Sequence, residues 1–229
     1  MGKVSKIFDR LTIKHVKQRT LVTCLAVQNI TLALIVLIIT NIILSNNIRT
    51  GQLNYMHIRL FYTFCLLILF LIPYILVPVF SSRTINSMYN NNVVDNLLSS
   101  GVTASDIVYA SYLRGLSFSI IMIASAIPIT SISFYFGGMS INMILKIYLV
   151  IILFAVLFSA ICTYISARVF DVNVATIISY VVGLVALIGT LMTVNAITAD
   201  IRYLLSYAIL SLIVSILLIN MAKYSLQKY

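Results

Sequence analysis

Hydrophobic and polar positions along this chain fall into long blocks, not short periods. Apolar runs cover Thr20–Leu44, Leu60–Phe80, Ile107–Phe136, Ile141–Ala167, Asn173–Asn195 and Tyr203–Met221. Each reaches the ~20 residues that a helix needs to cross a hydrocarbon layer about 30 Å thick. Backbone polar groups in lipid must be satisfied within their own segment, so these runs are predicted to be helices. The expected fold is therefore all-α and integral to a membrane, with about six transmembrane helices in a single domain over 1–229.

The longest polar interruption runs from Ser81 to Ile107. Within it Ile85, Met88, Tyr89, Val93 and Leu97 approximate one helical stripe, and Thr84, Ser87, Asn91 and Asp95 take the opposite face. This predicts a helix over 81–98, broken at Ser99-Ser100-Gly101. Thr103 and Asp106 form a capping-box variant that starts the next helix. From Thr103 to Phe136 that helix would extend about 50 Å, well beyond the hydrocarbon. Its first turns, with Tyr109 and Arg114, are expected in headgroups or cytoplasm. Pro128 should kink it near its outer end, and Phe136-Gly137-Gly138 should end it. Pro73 and Pro78 should bend or terminate the second span.

The N-terminal 1–19 has a different pattern. Val4, Ile7, Phe8 and Leu11 share one helical face, with Lys3, Lys6, Arg10 and Lys17 near the other. Such a helix lies in the membrane interface with its lysines on anionic headgroups, which makes membrane lipids the first predicted partner. No small-residue cleavage site follows the first apolar run, so no processing is expected.

Composition strengthens the membrane reading. The chain is 62% hydrophobic and 9% charged, against about 45–50% and about 25% in soluble domains. Its net charge of +10 could suggest nucleic acid. The basic residues instead cluster at span ends, so no nucleic-acid partner is expected. Lys3, Lys6, Arg10, Lys14, Lys17, Arg19, Arg83, Arg168, Lys223 and Lys228 fall on one side. Only Arg49, Arg59, Lys146 and Arg202 fall on the other. The excess marks the cytoplasmic side, which then holds both termini and the Ser81–Ile107 segment.

Candidate chemistry is sparse. The acids are Asp9, Asp95, Asp106, Asp171 and Asp200, none near the middle of a span, which disfavours a carboxylate relay. Cys24, Cys65 and Cys162 lie in apolar runs without metal-site spacing. His15 and His57 fall on opposite sides. There is no HExxH, no GxSxG and no Walker A sequence. No catalytic or metal site and no cofactor are expected in this chain, and the protein is not expected to be an enzyme. Tyr74, Tyr148 and Tyr203 suit an interfacial belt. No Gly-x-x-x-Gly pair stands out, but Gly183 and Gly189 would permit close helix approach.

The segment Asp95, Leu97-Leu98, Ser99-Ser100-Gly101, Val102, Thr103, Asp106 and Ile107 resembles the one that follows the second span in ABC-2 type transporter permeases. There an acidic helix leads to a leucine pair, a Ser/Thr-Pro turn, a hydrophobic residue, Ser/Thr, two often basic residues, an acid and Ile. Phe136-Gly137-Gly138-Met139-Ser140 resembles the end of that family's third span. Length, span number and terminal orientation are similar to a half-size permease. Asn92 and Val93 depart from the usual Gly and Thr. Tyr89-Asn90-Asn91 replace upstream acids, and Ala104-Ser105 replace the basic pair.

The resemblance implies that the 81–98 helix is a coupling helix, with Thr84, Ile85, Met88, Tyr89, Asn91, Asn92, Asp95, Leu97 and Leu98 docking on an ATPase. Two soluble ABC ATPase subunits would carry ATP and Mg. A second copy of this chain or a paralogous permease would complete the membrane part. Lys3, Lys6, Phe8, Arg10 and Leu11 would form an interfacial helix that also touches a cytoplasmic partner. Gln28, Asn29, Thr31 and Thr63 would be the polar residues near the pathway, with plain helix–helix hydrogen bonding as the competing role.

Nearly uncharged spans and short outer loops suit amphipathic or hydrophobic cargo. The chain looks most like half-size permeases that export peptide toxins or antimicrobial peptides across a bacterial plasma membrane. Export of lipid-linked glycan or haem-related cargo is an alternative. So is an ATPase-independent channel or carrier for a neutral solute.

Overall fold

The computed structural model describes residues 18–50, 67–81, 85, 102–131, 140–169 and 171–227. These form α1 (Gln18–Thr50), α2 (Leu67–Ser81), α3 (Ala104–Ser131), α4 (Ile141–Arg168), α5 (Val172–Ala199) and α6 (Ile201–Gln227). All but α2 are long and apolar enough to cross a membrane, so the protein is an all-α, multi-pass membrane protein with five long candidate spans among the described residues. The predicted Leu60–Phe80 span is described only from residue 67. The interfacial helix and most of the 81–98 helix lie outside the described residues.

Helix starts follow local chemistry. The amide of Thr103 donates to Asp106 Oδ2 at 3.1 Å, and the amide of Asp106 donates back to Thr103 Oγ1 at 3.4 Å. This is the predicted capping box, and α3 begins at the next residue. Ser140 Oγ accepts from the Met143 amide to open α4. Asp171 Oδ1 accepts from the Asn173 and Val174 amides to open α5. Asp200 alone separates α5 from α6, and its Oδ1 accepts from the Arg202 amide. Pro73 and Pro78 lie inside α2 and do not end it.

The helices outrun their apolar windows. At 28 residues each, α3, α4 and α5 extend about 42 Å. α3, α4 and α6 pack on one another, so their excess length is mutually covered. This overturns one expectation: Arg114 is only 6% exposed and does not project from the bundle. The physical reason is that the long neighbours sheath the first turns of α3.

Hydrophobicity cannot decide which helix face turns inward when the solvent is lipid. Small residues do so instead, because they let backbones approach. Ser111, Gly115 and Ser119 line the buried side of α3; Ala155, Ser159, Thr163 and Ala167 that of α4. Ala175, Ser179 and Gly183 do the same on α5, and Ser211 and Ser215 on α6. Most of these hydroxyls donate to the carbonyl one turn back, as Thr163 does to Ser159 at 2.7 Å and Ser215 to Ser211 at 2.7 Å. Burying those hydroxyls is then cheap, since each is satisfied on its own helix; Ser111 and Ser159 are the exceptions.

α4 is the centre: it is the most buried of the five long helices, and α1 is the least. It packs on α3, α5 and α6, while α1 lies outside against α3. α2 inserts aromatically: Phe70 meets Phe154 edge-on, Tyr74 stacks on Phe158, and Phe80 stacks on Phe118 at 4.3 Å. Gly183 admits the Phe158 ring, which a Cβ there would overlap, whereas Gly189 faces open space. Only the first of the two glycines serves close approach.

Candidate functional site

Two polar regions and one buried anchor make up the candidate site. The anchor is Ile85, the one predicted docking residue among those described. It is 0% exposed and packs with Ala104 and Val108 of α3, Ala160 and Ala167 of α4, and Ile219, Ala222 and Leu226 of α6. Its side chain therefore serves the bundle interior. Thr84, Met88, Tyr89, Asn91, Asn92, Asp95, Leu97 and Leu98 lie outside the described residues, as do Lys3, Lys6, Phe8, Arg10, Leu11 and Thr63.

The first polar region joins α1 to α3. Gln28 Nε2 donates to the Met122 carbonyl at 2.9 Å and reaches Ser125 Oγ at 3.5 Å. Ser125 Oγ donates to the Met122 carbonyl at 2.8 Å and lies 3.4 Å from Asn29 Oδ1. Thr31 Oγ1 donates to the Val27 carbonyl of its own helix at 2.8 Å. Of the three described pathway candidates, Gln28 and Asn29 both reach Ser125, while the Thr31 hydroxyl turns back to the Val27 and Gln28 carbonyls of its own helix. Their geometry is that of helix–helix hydrogen bonding. Gln28 Oε1 is buried without a hydrogen-bond partner among the described residues.

The second polar region joins α2, α3 and α4, and sequence reasoning missed it. Ser111 Oγ donates to the Ser81 carbonyl at 3.4 Å. Gly115 lies one turn on, where a Cβ would overlap Ser81 Oγ and lie 3.3 Å from Ser159 Oγ. Both of those hydroxyls are buried without a hydrogen-bond partner among the described residues. Arg114, beside Gly115, is buried on the same helix. The signal was the four-residue spacing of Ser111, Gly115 and Ser119, which a search restricted to glycine pairs passes over.

Two tyrosines expected in an interfacial belt instead join helices. Tyr148 hydrogen-bonds Thr130, linking α4 to α3. Tyr74 hydrogen-bonds across to α5. Tyr203 is exposed. At the far end of the bundle, Lys146 Nζ donates to the Thr198 carbonyl at 3.1 Å, where α5 ends. This satisfies one of the carbonyls that a helix end leaves open and suits its negative pole.

No group of His, Cys, Asp or Glu able to hold a metal occurs among the described residues. Cys162 is buried and Cys24 half-buried, both free thiols. The arrangement joins and spaces helices; it does not converge reactive groups on a point.

Fold and site together define a polytopic α-helical membrane protein. Comparison with protein-family models, curated proteins and solved structures found no match for this chain.

Proposed function

We propose that this chain is the transmembrane permease subunit of an ATP-driven exporter. It would move amphipathic or hydrophobic cargo, with peptides favoured, outward across a bacterial plasma membrane. Separate ATPase subunits would dock on the polar segment after α2, and a second permease copy or a paralogue would complete the pathway.

The observation that carries this reading is the position of Ile85. The polar segment leaves α2 at Ser81 and enters α3 at Thr103. Near its start, Ile85 is wedged among α3, α4 and α6. A force applied to that segment from outside would reach all three helices through one fully buried side chain. Close packing makes such transmission effective, because interiors are dense and yield little. A coupling element needs this property, and a simple loop between spans does not.

Charge supports the orientation. Arg168 and Lys223 sit at the end where α4 and α6 finish, joined there by the bond from Ser225 Oγ to the Ala167 carbonyl at 3.2 Å. The excess of basic residues makes this end cytoplasmic, which exposes the polar segment to soluble partners.

The test is a mild-detergent purification of the tagged chain from its native host, with mass spectrometry and an ATPase assay. A stoichiometric soluble ATPase is expected, with its activity reduced when the 81–98 segment is altered. Recovery of this chain alone under several gentle detergents would overturn the reading and favour a channel or carrier.

A further inference from the structure

Lys223 and Tyr109 meet where α6 ends and α3 begins. Lys223 Nζ donates to the Tyr109 hydroxyl at 3.0 Å and sits 4.3 Å from the centre of its ring. The ammonium acts here as donor, so the phenolic hydrogen is left to donate elsewhere. Two N–H groups of the ammonium remain as well. Tyr109 is 38% exposed, so these donors face the surroundings of the bundle. The pair is held in place from beneath, where Val108 and Ala222, their chain neighbours, pack in one buried cluster.

Among the described residues, the carboxylates at this end are engaged in helix caps. Asp106 Oδ2 accepts from Thr103 Oγ1 at 2.6 Å and from the Thr103 amide at 3.1 Å. Asp171 caps α5. A second cation on the same end, Arg168, lies 5.3 Å from the Tyr164 ring centre. This rim therefore carries fixed positive charge over aromatic rings, with its described acids engaged in helix caps.

Depth identifies the surroundings. Helices about 42 Å long in hydrocarbon about 30 Å thick carry their terminal turns in the headgroup layer. Tyr109 is in the second turn of α3, and Lys223 is in the last two turns of α6. We propose that Tyr109 and Lys223 form a two-donor clamp for the phosphate of an anionic phospholipid. Donors 3.0 Å apart suit adjacent oxygens of one phosphate diester. Charge-assisted bonds of this kind are also stronger than neutral ones.

The test is native mass spectrometry of the purified chain, with whatever subunits accompany it, in micelles doped with phosphatidylglycerol or phosphatidylcholine. The wild type is expected to retain phosphatidylglycerol preferentially. Lys223→Met should lower that preference about fivefold, and Tyr109→Phe should lower it by a smaller factor. Lys146→Met, at the opposite end, should leave it unchanged. Equal thermal midpoints would show that the variants are folded. An unchanged preference in both Lys223→Met and Tyr109→Phe would overturn the proposal. So would displacement of the lipid by millimolar inorganic phosphate, which would make this a soluble-anion site. Loss of a bound protein partner with lipid retention intact would likewise overturn it, assigning the clamp to a protein contact.

Discussion

The hydroxyl of Tyr74 donates to the Tyr180 carbonyl at 3.1 Å, and the hydroxyl of Tyr180 donates to the Ile75 carbonyl at 3.0 Å. The two rings also meet edge-on, 5.7 Å apart. α2 and α5 are thus clasped in both directions. The clasp falls between Pro73 and Pro78, where α2 has lost two intrahelical donors. Each Tyr→Phe variant should cost about 0.5–1.5 kcal/mol. A double-mutant cycle on thermal unfolding should give a coupling clearly different from zero. Strict additivity would show that the bonds act separately.

Glycine substitutions on α5 should divide sharply. At Gly183 an added methyl meets the Phe158 ring, and at Gly189 it meets nothing within 4 Å. Gly183→Ala should therefore lower stability by about 1–3 kcal/mol. Gly189→Ala should be neutral or slightly stabilising, as helix propensity dictates. Denaturation in detergent measures both, and equal effects would contradict the packing described here.

Gly115→Ala tests the seam between α2, α3 and α4. The methyl would displace Ser81, and with it the residue where the polar segment begins. A loss of about 1–3 kcal/mol is expected. Adding Ser81→Gly to this variant should restore part of it, since the obstructing hydroxyl is then gone. Failure of the second substitution to help would locate the clash elsewhere.

Gln28→Leu separates two roles for the α1–α3 network. It removes the bond to the Met122 carbonyl and also the buried, unmatched Oε1. The stability change should therefore be small, near the average of about 0.6 kcal/mol for hydrogen bonds between membrane helices. Unfolding in detergent checks this, and a cargo-efflux assay on the same variant reports any role in the pathway.

Ile85→Ala bears on the coupling reading. Truncating a fully buried isoleucine should cost about 2–5 kcal/mol locally. On the proposed exporter reading, the ATPase activity of the partner subunits should then become less responsive to cargo. Ile85→Val, a smaller loss of about 0.5–1.5 kcal/mol, should retain most of that response and serve as the folded control.

Much of the fold was legible because lipid imposes a length. Ile141–Ala167 was predicted against α4 at Ile141–Arg168, and Asn173–Asn195 against α5 at Val172–Ala199. The capping box of Thr103 and Asp106 was legible because it is local chemistry. Helix facing was not legible in the same way, since Leu and Ile serve equally well toward lipid and toward the core. Arg114 shows the limit. Its charge and position near a helix start suggested water, and only the matching length of α4 and α6 places it inside. Gln28 and Asn29 were found as polar residues in an apolar run, but their partners Met122 and Ser125 depend on tertiary packing.

Asp200 is the whole connection between α5 and α6. Two helices joined through one residue cannot part by much more than a helix diameter, about 10 Å, at that end. Insertion as a pair, not as successive independent spans, is the expected consequence. Protease given access to that face should find no cleavable stretch between them, and an epitope tag placed there would have to pry the two helices apart.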